Sequence, residues 1–205
     1  MTRPATLFFL PGALGRTDTW RPVAETLAFP AERQHITWPG FGGVPPDDGI
    51  HGVHDLAARM AAAIDGPSAL IAQSMGGVVA VLTALQRPDL VTHLVLSATS
   101  GGMDLAPFGA EDWRPSVLAA HPALPDWFLR CTDDLTPRLG ELRMPVLLLW
   151  GDADPISPVA VGERLQALLP DARLHVLGGA THDLAVSHAT AVAGLIDAHL
   201  GRERA

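Results

Sequence analysis

Ala72-Gln73-Ser74-Met75-Gly76 places a serine between two small residues, where an apolar run gives way to a helical pattern. A strand turning straight into a helix holds its central residue in strained dihedrals, and small neighbours let the backbones approach, so the hydroxyl stands out above a sheet. A small-x-Ser-x-Gly string recurs by chance in on the order of one protein in ten of this length, so its weight comes from that context. Serine is a poor nucleophile at neutral pH and needs a base, itself oriented by a third group. Both have candidates downstream. Leu147-Leu148-Leu149-Trp150 reads as a buried strand leading into Gly151-Asp152-Ala153-Asp154-Pro155, a loop with two carboxylates. Leu174-His175-Val176-Leu177 leads into Gly178-Gly179-Ala180-Thr181-His182, a glycine-rich loop ending in histidine. A developing oxyanion would need two backbone N–H groups; Met75 supplies one, and Ala13, in the loop Pro11-Gly12-Ala13-Leu14-Gly15, is placed to supply the other.

These residues need a scaffold that brings distant loops to one edge. The chain alternates short β-like runs with helical stretches, the pattern of a parallel sheet with crossover helices. Strands are predicted at 6–10, 35–38, 69–73, 94–97, 146–150 and 173–177, and helices at 21–27, 54–64, 75–86, 159–168 and 184–200. Most strands are near-continuous apolar runs, as expected when helices cover both faces. In such sheets sites form at the C-terminal ends of strands, where Ser74, one of the two aspartates and His182 would all emerge.

Residues 101–142 break the alternation. They carry Pro107, Pro115, Pro122, Pro125 and Pro137 with Phe108, Trp113, Trp127 and Phe128, and do not read as one crossover helix. A connection this long is more often a functional lid than an idle loop; the competing reading is a surface excursion that packs its own aromatics.

Composition narrows the partners. The chain has 205 residues, 48% of them hydrophobic and 18% charged, which suits one domain with a sizeable core. Net charge is −8 and the basic residues are all arginine, which disfavours nucleic acid or an anionic membrane. The single cysteine, Cys131, excludes an internal disulfide and suits a reducing compartment. The first apolar run stops at Pro11, short of a secretory core, so a cytoplasmic protein is expected. Residues 66–86 carry no charge, yet Gln73-Ser74 and Gly76-Gly77 interrupt them, which argues against a membrane span.

Leu10-Pro11-Gly12, Trp38-Pro39-Gly40-Phe41-Gly42, the Ser74 turn, Trp150-Gly151-Asp152-Ala153-Asp154 and Gly179-Ala180-Thr181-His182, in this order, resemble the α/β-hydrolase family throughout the chain outside 101–142. The resemblance implies one doubly wound α/β domain over 1–205, with 101–142 as a lid insert, and a triad of Ser74 as nucleophile, Asp154 as acid and His182 as base. It selects Asp154 over Asp152 because the family's acid usually closes the Gly-x-x-Asp loop. Pro11 replaces the family's usual histidine and Ala72 its first elbow glycine; both are tolerable where backbone makes the hydrogen bonds. Family members tend to open with a β-hairpin, whereas this sequence reaches its oxyanion strand by Thr6, so about six parallel strands are expected.

The expected activity is cofactor-independent hydrolysis of a carboxylic ester or thioester with an apolar portion. Leu14, Phe108, Trp113 and Trp127 are the expected substrate contacts, with no cationic clamp for a dicarboxylate. The same triad serves lactone and C–C bond hydrolases, perhydrolases and lyases, and a ligand-binding module with a little-used triad is the reading from another class. Asp152 is expected to cap the turn that follows it, and His175 to be a satisfied or surface histidine. His51 and His54, near Asp47, Asp48 and Asp55, are better read as helix-entry capping than as a metal site. Gly40-Phe41-Gly42-Gly43 lacks dinucleotide-binding spacing, so no nicotinamide or flavin is expected. Met75 and Met103 are expected to fill pocket or core.

Overall fold

The computed structural model describes residues 3–202 except 123, 126, 128 and 130–133, so Phe128 and Cys131 lie outside the described residues. Six strands form one sheet: β1 (Thr6–Leu10), β2 (Glu32–His35), β3 (Ser68–Gln73), β4 (Val91–Ser97), β5 (Val146–Gly151) and β6 (Ala172–Leu177). Every pairing is parallel and the order is β2-β1-β3-β4-β5-β6. The order reverses between β1 and β3, the switch point of a doubly wound sheet, and the loops after those two strands carry Ala13 and Ser74.

Because side chains alternate along a strand, β1 alone feeds two cores. Phe8 and Leu10 face Leu70, Ala72, Leu148 and Trp150, under α2 (Val53–Ala63), α3 (Met75–Gln86) and α5 (Val159–Leu168). Leu7 and Phe9 face Ile71, Val95 and Leu149, under α1 (Arg21–Thr26), α6 (Leu184–Ser187) and α7 (Ala189–Leu200). Burial on both faces explains the unbroken apolar runs of β3 and β5, whose residues are all buried.

Two expectations need correction. The second strand runs over Glu32–His35, paired with Thr6–Phe9, rather than 35–38. It is an edge strand with three exposed polar residues, so hydrophobicity points past it to Ile36 and Trp38. Trp38 instead holds the next loop: its buried indole donates to the Pro11 and Gly12 carbonyls at 3.1 and 3.2 Å. The last helix is two, α6 and α7, broken at His188 (φ −125°, ψ 31°). One non-helical residue leaves Leu184, Ala185, Val192 and Ile196 in the same core, so the periodicity runs through the break.

Residues 101–142 contain a short helix, α4 (Arg114–Ala120), and 3-10 turns at Ala106–Phe108 and Thr136–Glu141. The Leu135 N–H donates to the Gly102 carbonyl at 2.8 Å, closing the base of the excursion. No helix among the described residues is long and apolar enough to cross a membrane.

Candidate active site

Ser74 ends β3 and starts α3 with φ 54° and ψ −124°, dihedrals an L-residue adopts only under constraint. The constraint is backbone crowding. A Cβ at Gly76 would collide with the Pro11 carbonyl oxygen, so only glycine lets α3 start this close to β1. A Cβ at Gly12 would lie 3.4 Å from the Ser74 Cβ, which puts the Pro11–Gly15 loop directly against the serine. Thr99 Oγ1 donates to the Ser74 carbonyl at 2.6 Å and accepts the Gly101 N–H at 3.1 Å, tying the turn to the loop after β4.

His182 Nδ1 lies 2.8 Å from Asp154 Oδ2. The Asp154 side chain is fully buried, and its other oxygen accepts the N–H groups of Ile156 and Ser157 at 2.9 and 3.2 Å. A carboxylate removed from water requires such compensation, and the two backbone donors fix the oxygen that faces the imidazole. Asp152 turns away from the ring: its Oδ1 accepts the Gly179 N–H at 2.6 Å. The turn it caps is therefore in the histidine loop and not in its own. The two loops are also joined by Ala153 N–H to the Ala180 carbonyl at 3.0 Å, and a Cβ at Gly151 would strike that same carbonyl.

Ser74 and His182 border two cavities. One, of about 210 Å³, is lined by Gly12, Ala13, Leu14, Gln73, Trp113 and Val117 among others. The other, of about 100 Å³, includes Met75, Val78, Ser100, Leu105 and Arg114. Among the described residues no hydrogen bond joins Ser74 Oγ to the His182 ring; such contacts are commonly long before substrate binds. The N–H groups of Ala13 and Met75 donate to no backbone carbonyl among the described residues, which leaves both available on either side of Ser74.

Of the expected substrate contacts, Leu14 and Trp113 border these cavities. Trp127 packs edge-on against Phe41, with centroids 5.4 Å apart, and Phe108 packs against the core beneath 101–142; neither borders the cavities beside Ser74. Met103 is a core residue. Asp55 accepts the His51 N–H at 2.8 Å and Asp47 the Gly49 N–H at 2.9 Å, both capping roles.

Sequence reasoning missed Gln73. This buried residue donates through Nε2 to the His182 carbonyl at 2.8 Å, clamping the histidine loop from beside the serine. An amide at the end of an apolar strand was the available signal, since buried polar groups require partners.

Residues 7–195 match the model of the alpha/beta hydrolase family. The chain belongs to that family. Among curated relatives, it is 27% identical over 214 residues to a pimeloyl-[acyl-carrier protein] methyl ester esterase of Nitrosomonas europaea, covering 82% of this chain and 84% of the relative. It is 30% identical to the protein of the same name from Neisseria meningitidis serogroup C, covering 78% and 79%. A solved hydrolase from Pseudomonas aeruginosa shares the fold at TM-score 0.80 and 20% identity, covering 97% of this chain and 91% of that one. The protein is thus an α/β-hydrolase with esterase-named relatives.

Proposed function

We propose that the protein hydrolyses a carboxylic ester or thioester with an apolar portion, through an acyl-enzyme on Ser74. His182 Nε2 takes the hydroxyl proton as Oγ attacks the carbonyl carbon, while Asp154 holds the tautomer with the proton on Nδ1 and balances the imidazolium. The oxyanion is met by the N–H groups of Ala13 and Met75. Collapse expels the alcohol or thiol, which leaves with the proton from His182. Water, deprotonated by the same imidazole, then attacks the acyl carbon; His182 returns that proton to Ser74 as the acid departs.

The observation that carries this reading is the 2.8 Å pair of His182 with a fully buried Asp154, across a shared cavity from a serine at positive φ. The esterase names of the relatives favour the same reaction. In this proposal 101–142 is a lid within a single domain, since Trp113 and Val117 of that segment border the cavity beside Ser74. No cofactor takes part, and the single cysteine favours a cytoplasmic location. The test is a fluorophosphonate probe with p-nitrophenyl acetate. Labelling at Ser74 with turnover is expected; inertness to both, with tight ligand binding, would favour a non-catalytic binding module.

A further inference from the structure

A third cavity, of about 690 Å³, opens beneath 101–142, and Val78, Ser100, Leu105, Trp113, Arg114 and Ile156 line both it and the 100 Å³ cavity beside Ser74. The smaller cavity is therefore an antechamber. The 210 Å³ cavity lies on the side of the Pro11–Gly15 loop, and Trp113 and Ile156 border all three. A substrate held at Ser74 is thereby divided, with a short arm along the Pro11–Gly15 loop and a long arm running past Trp113.

The charges along the long arm are mostly negative. Among its described lining residues are the carboxylates of Asp104, Glu111, Asp112 and Asp134 and a single guanidinium, Arg114. Arg114 is already paired with Asp112 at 3.4 Å. Asp134 is held below the usual carboxylate range by its hydrogen bonds to Thr136, so it carries its charge at neutral pH. On the short arm, Arg16 is paired with Asp18 through two contacts of 3.2 and 3.1 Å. Neither arm has an uncommitted cation among its described residues. Among the described residues the long arm has an excess of three negative charges, from four carboxylates and one guanidinium.

We infer that the 690 Å³ cavity is a second subsite that takes the larger, neutral or cationic portion of the ester and rejects one ending in carboxylate or phosphate. This rests on the esterase reading and adds to it the charge class of the substrate. The four carboxylates line the cavity but are exposed to water, so a carboxylate end is disfavoured by roughly tenfold at low salt, and less as salt screens it.

The experiment uses p-nitrophenyl esters of six-carbon acids whose far ends are trimethylammonium, methyl or carboxylate, and a matching acetate series varied on the alcohol, so that whichever arm enters the cavity is covered. In the wild type, kcat/KM should rank trimethylammonium at or above methyl, and both at least tenfold above carboxylate in one of the series, with the spread narrowing in high salt. In Asp104→Asn/Glu111→Gln/Asp112→Asn/Asp134→Asn the cation-to-anion ratio should fall to within about threefold of unity. Asp104, Asp112 and Asp134 accept the N–H groups of Ala106, Arg114 and Thr136, and asparagine retains that acceptor, so the variant keeps its turns. Thermal melting checks this, and Asp104→Asn/Glu111→Gln serves as the milder variant, in which the ratio should fall partway. Hydrolysis with no charge ranking, or a ranking that survives the substitutions in a folded variant, overturns the subsite. Absence of Ser74-dependent hydrolysis of the methyl-ended ester removes the esterase reading, and the subsite with it.

Discussion

His182 and His199 sit at opposite ends of the sheet and are buried in opposite company. At the C-terminal edge the His182 side chain is 20% exposed and has Asp154 Oδ2 against one ring nitrogen. At the far edge His199 is 3% exposed, its ring edge-on to His93 at 5.2 Å, and among the described residues neither of its nitrogens has a hydrogen-bond partner. Asp171, a carboxylate of that region, is engaged by Arg202 at 2.8 Å. Burial, then His93 and Arg202, push His199 down to about 3, opposed by the main chain at Leu94 and by Asp171. One imidazole has a counter-charge for its protonated form; the other is held neutral. The proton cycle proposed for His182 depends on that carboxylate, whereas His199, facing no such group, is packed as a neutral ring.

The largest test of that contrast removes the reacting pair. Ser74→Ala and His182→Ala should each lower turnover by about 10⁴ to 10⁶, and the double variant should lose little more, because in the proposed mechanism the two act as one proton-transfer unit. Additive losses would dissolve the unit.

Removing the counter-charge should make His182 resemble His199. Asp154→Asn is expected to cut turnover by roughly 10⁴ with the fold intact. Asp152→Asn, which keeps an oxygen for the Gly179 N–H, should cost less than about tenfold. The opposite ranking would transfer the acid role to Asp152.

At the far edge the readout is stability against pH. From 6.5 down to about 3, the unfolded chain takes up a proton at His199 that the folded chain refuses. Its contribution is therefore complete above about pH 6.5 and lost as pH falls. Between pH 8 and pH 5 the free energy of unfolding in urea should drop by about 2 kcal/mol from this group, and His199→Leu should flatten that decline. His93, which burial also pushes down, will retain some of it. An unchanged slope in His199→Leu would place the acid sensitivity elsewhere.

The smallest effect separates two tryptophans of the proposed lid. Trp113 borders all three of the cavities described, so Trp113→Ala should weaken transition-state binding of long acyl esters by roughly 1 to 3 kcal/mol relative to acetate. Trp127 meets Phe41 instead, and Trp127→Ala should lower the melting temperature while leaving the chain-length profile unchanged. Equal shifts in both profiles would mean that the segment acts as one packed unit.

These contrasts differ in how far the sequence displays them. Ser74, Asp154 and His182 each sit in a short punctuated string, strand then glycine-rich turn, so the elements and their shared edge are readable locally. Four of the six strands, read as runs of apolar residues, overlap the observed ones closely because two-sided burial leaves little freedom for polar residues, and β6, at the other edge with no buried residue, is readable because it keeps Leu174, Val176 and Leu177. Glu32–His35 escaped because an edge strand has no such requirement. The Gln73 clamp on His182 and the His93–His199 pair join residues more than a hundred positions apart, and local spacing holds no information about such contacts. The role of Asp152 was half legible: capping follows from its chemistry, but the loop it caps is set by how β5 and β6 lie together.

The same edge strand has a consequence for the protein in a crowded solution. β2 pairs only with β1, so its outer row of N–H and C=O groups is a template on which another extended chain could add. Glu32, Arg33 and Gln34 are exposed along it, and a newcomer would have to accommodate two charges of opposite sign and an amide within three residues. Residues that made the strand hard to find thus discourage edge-to-edge aggregation. Replacing them with valine or isoleucine would make the strand easier to read and the protein harder to keep in solution.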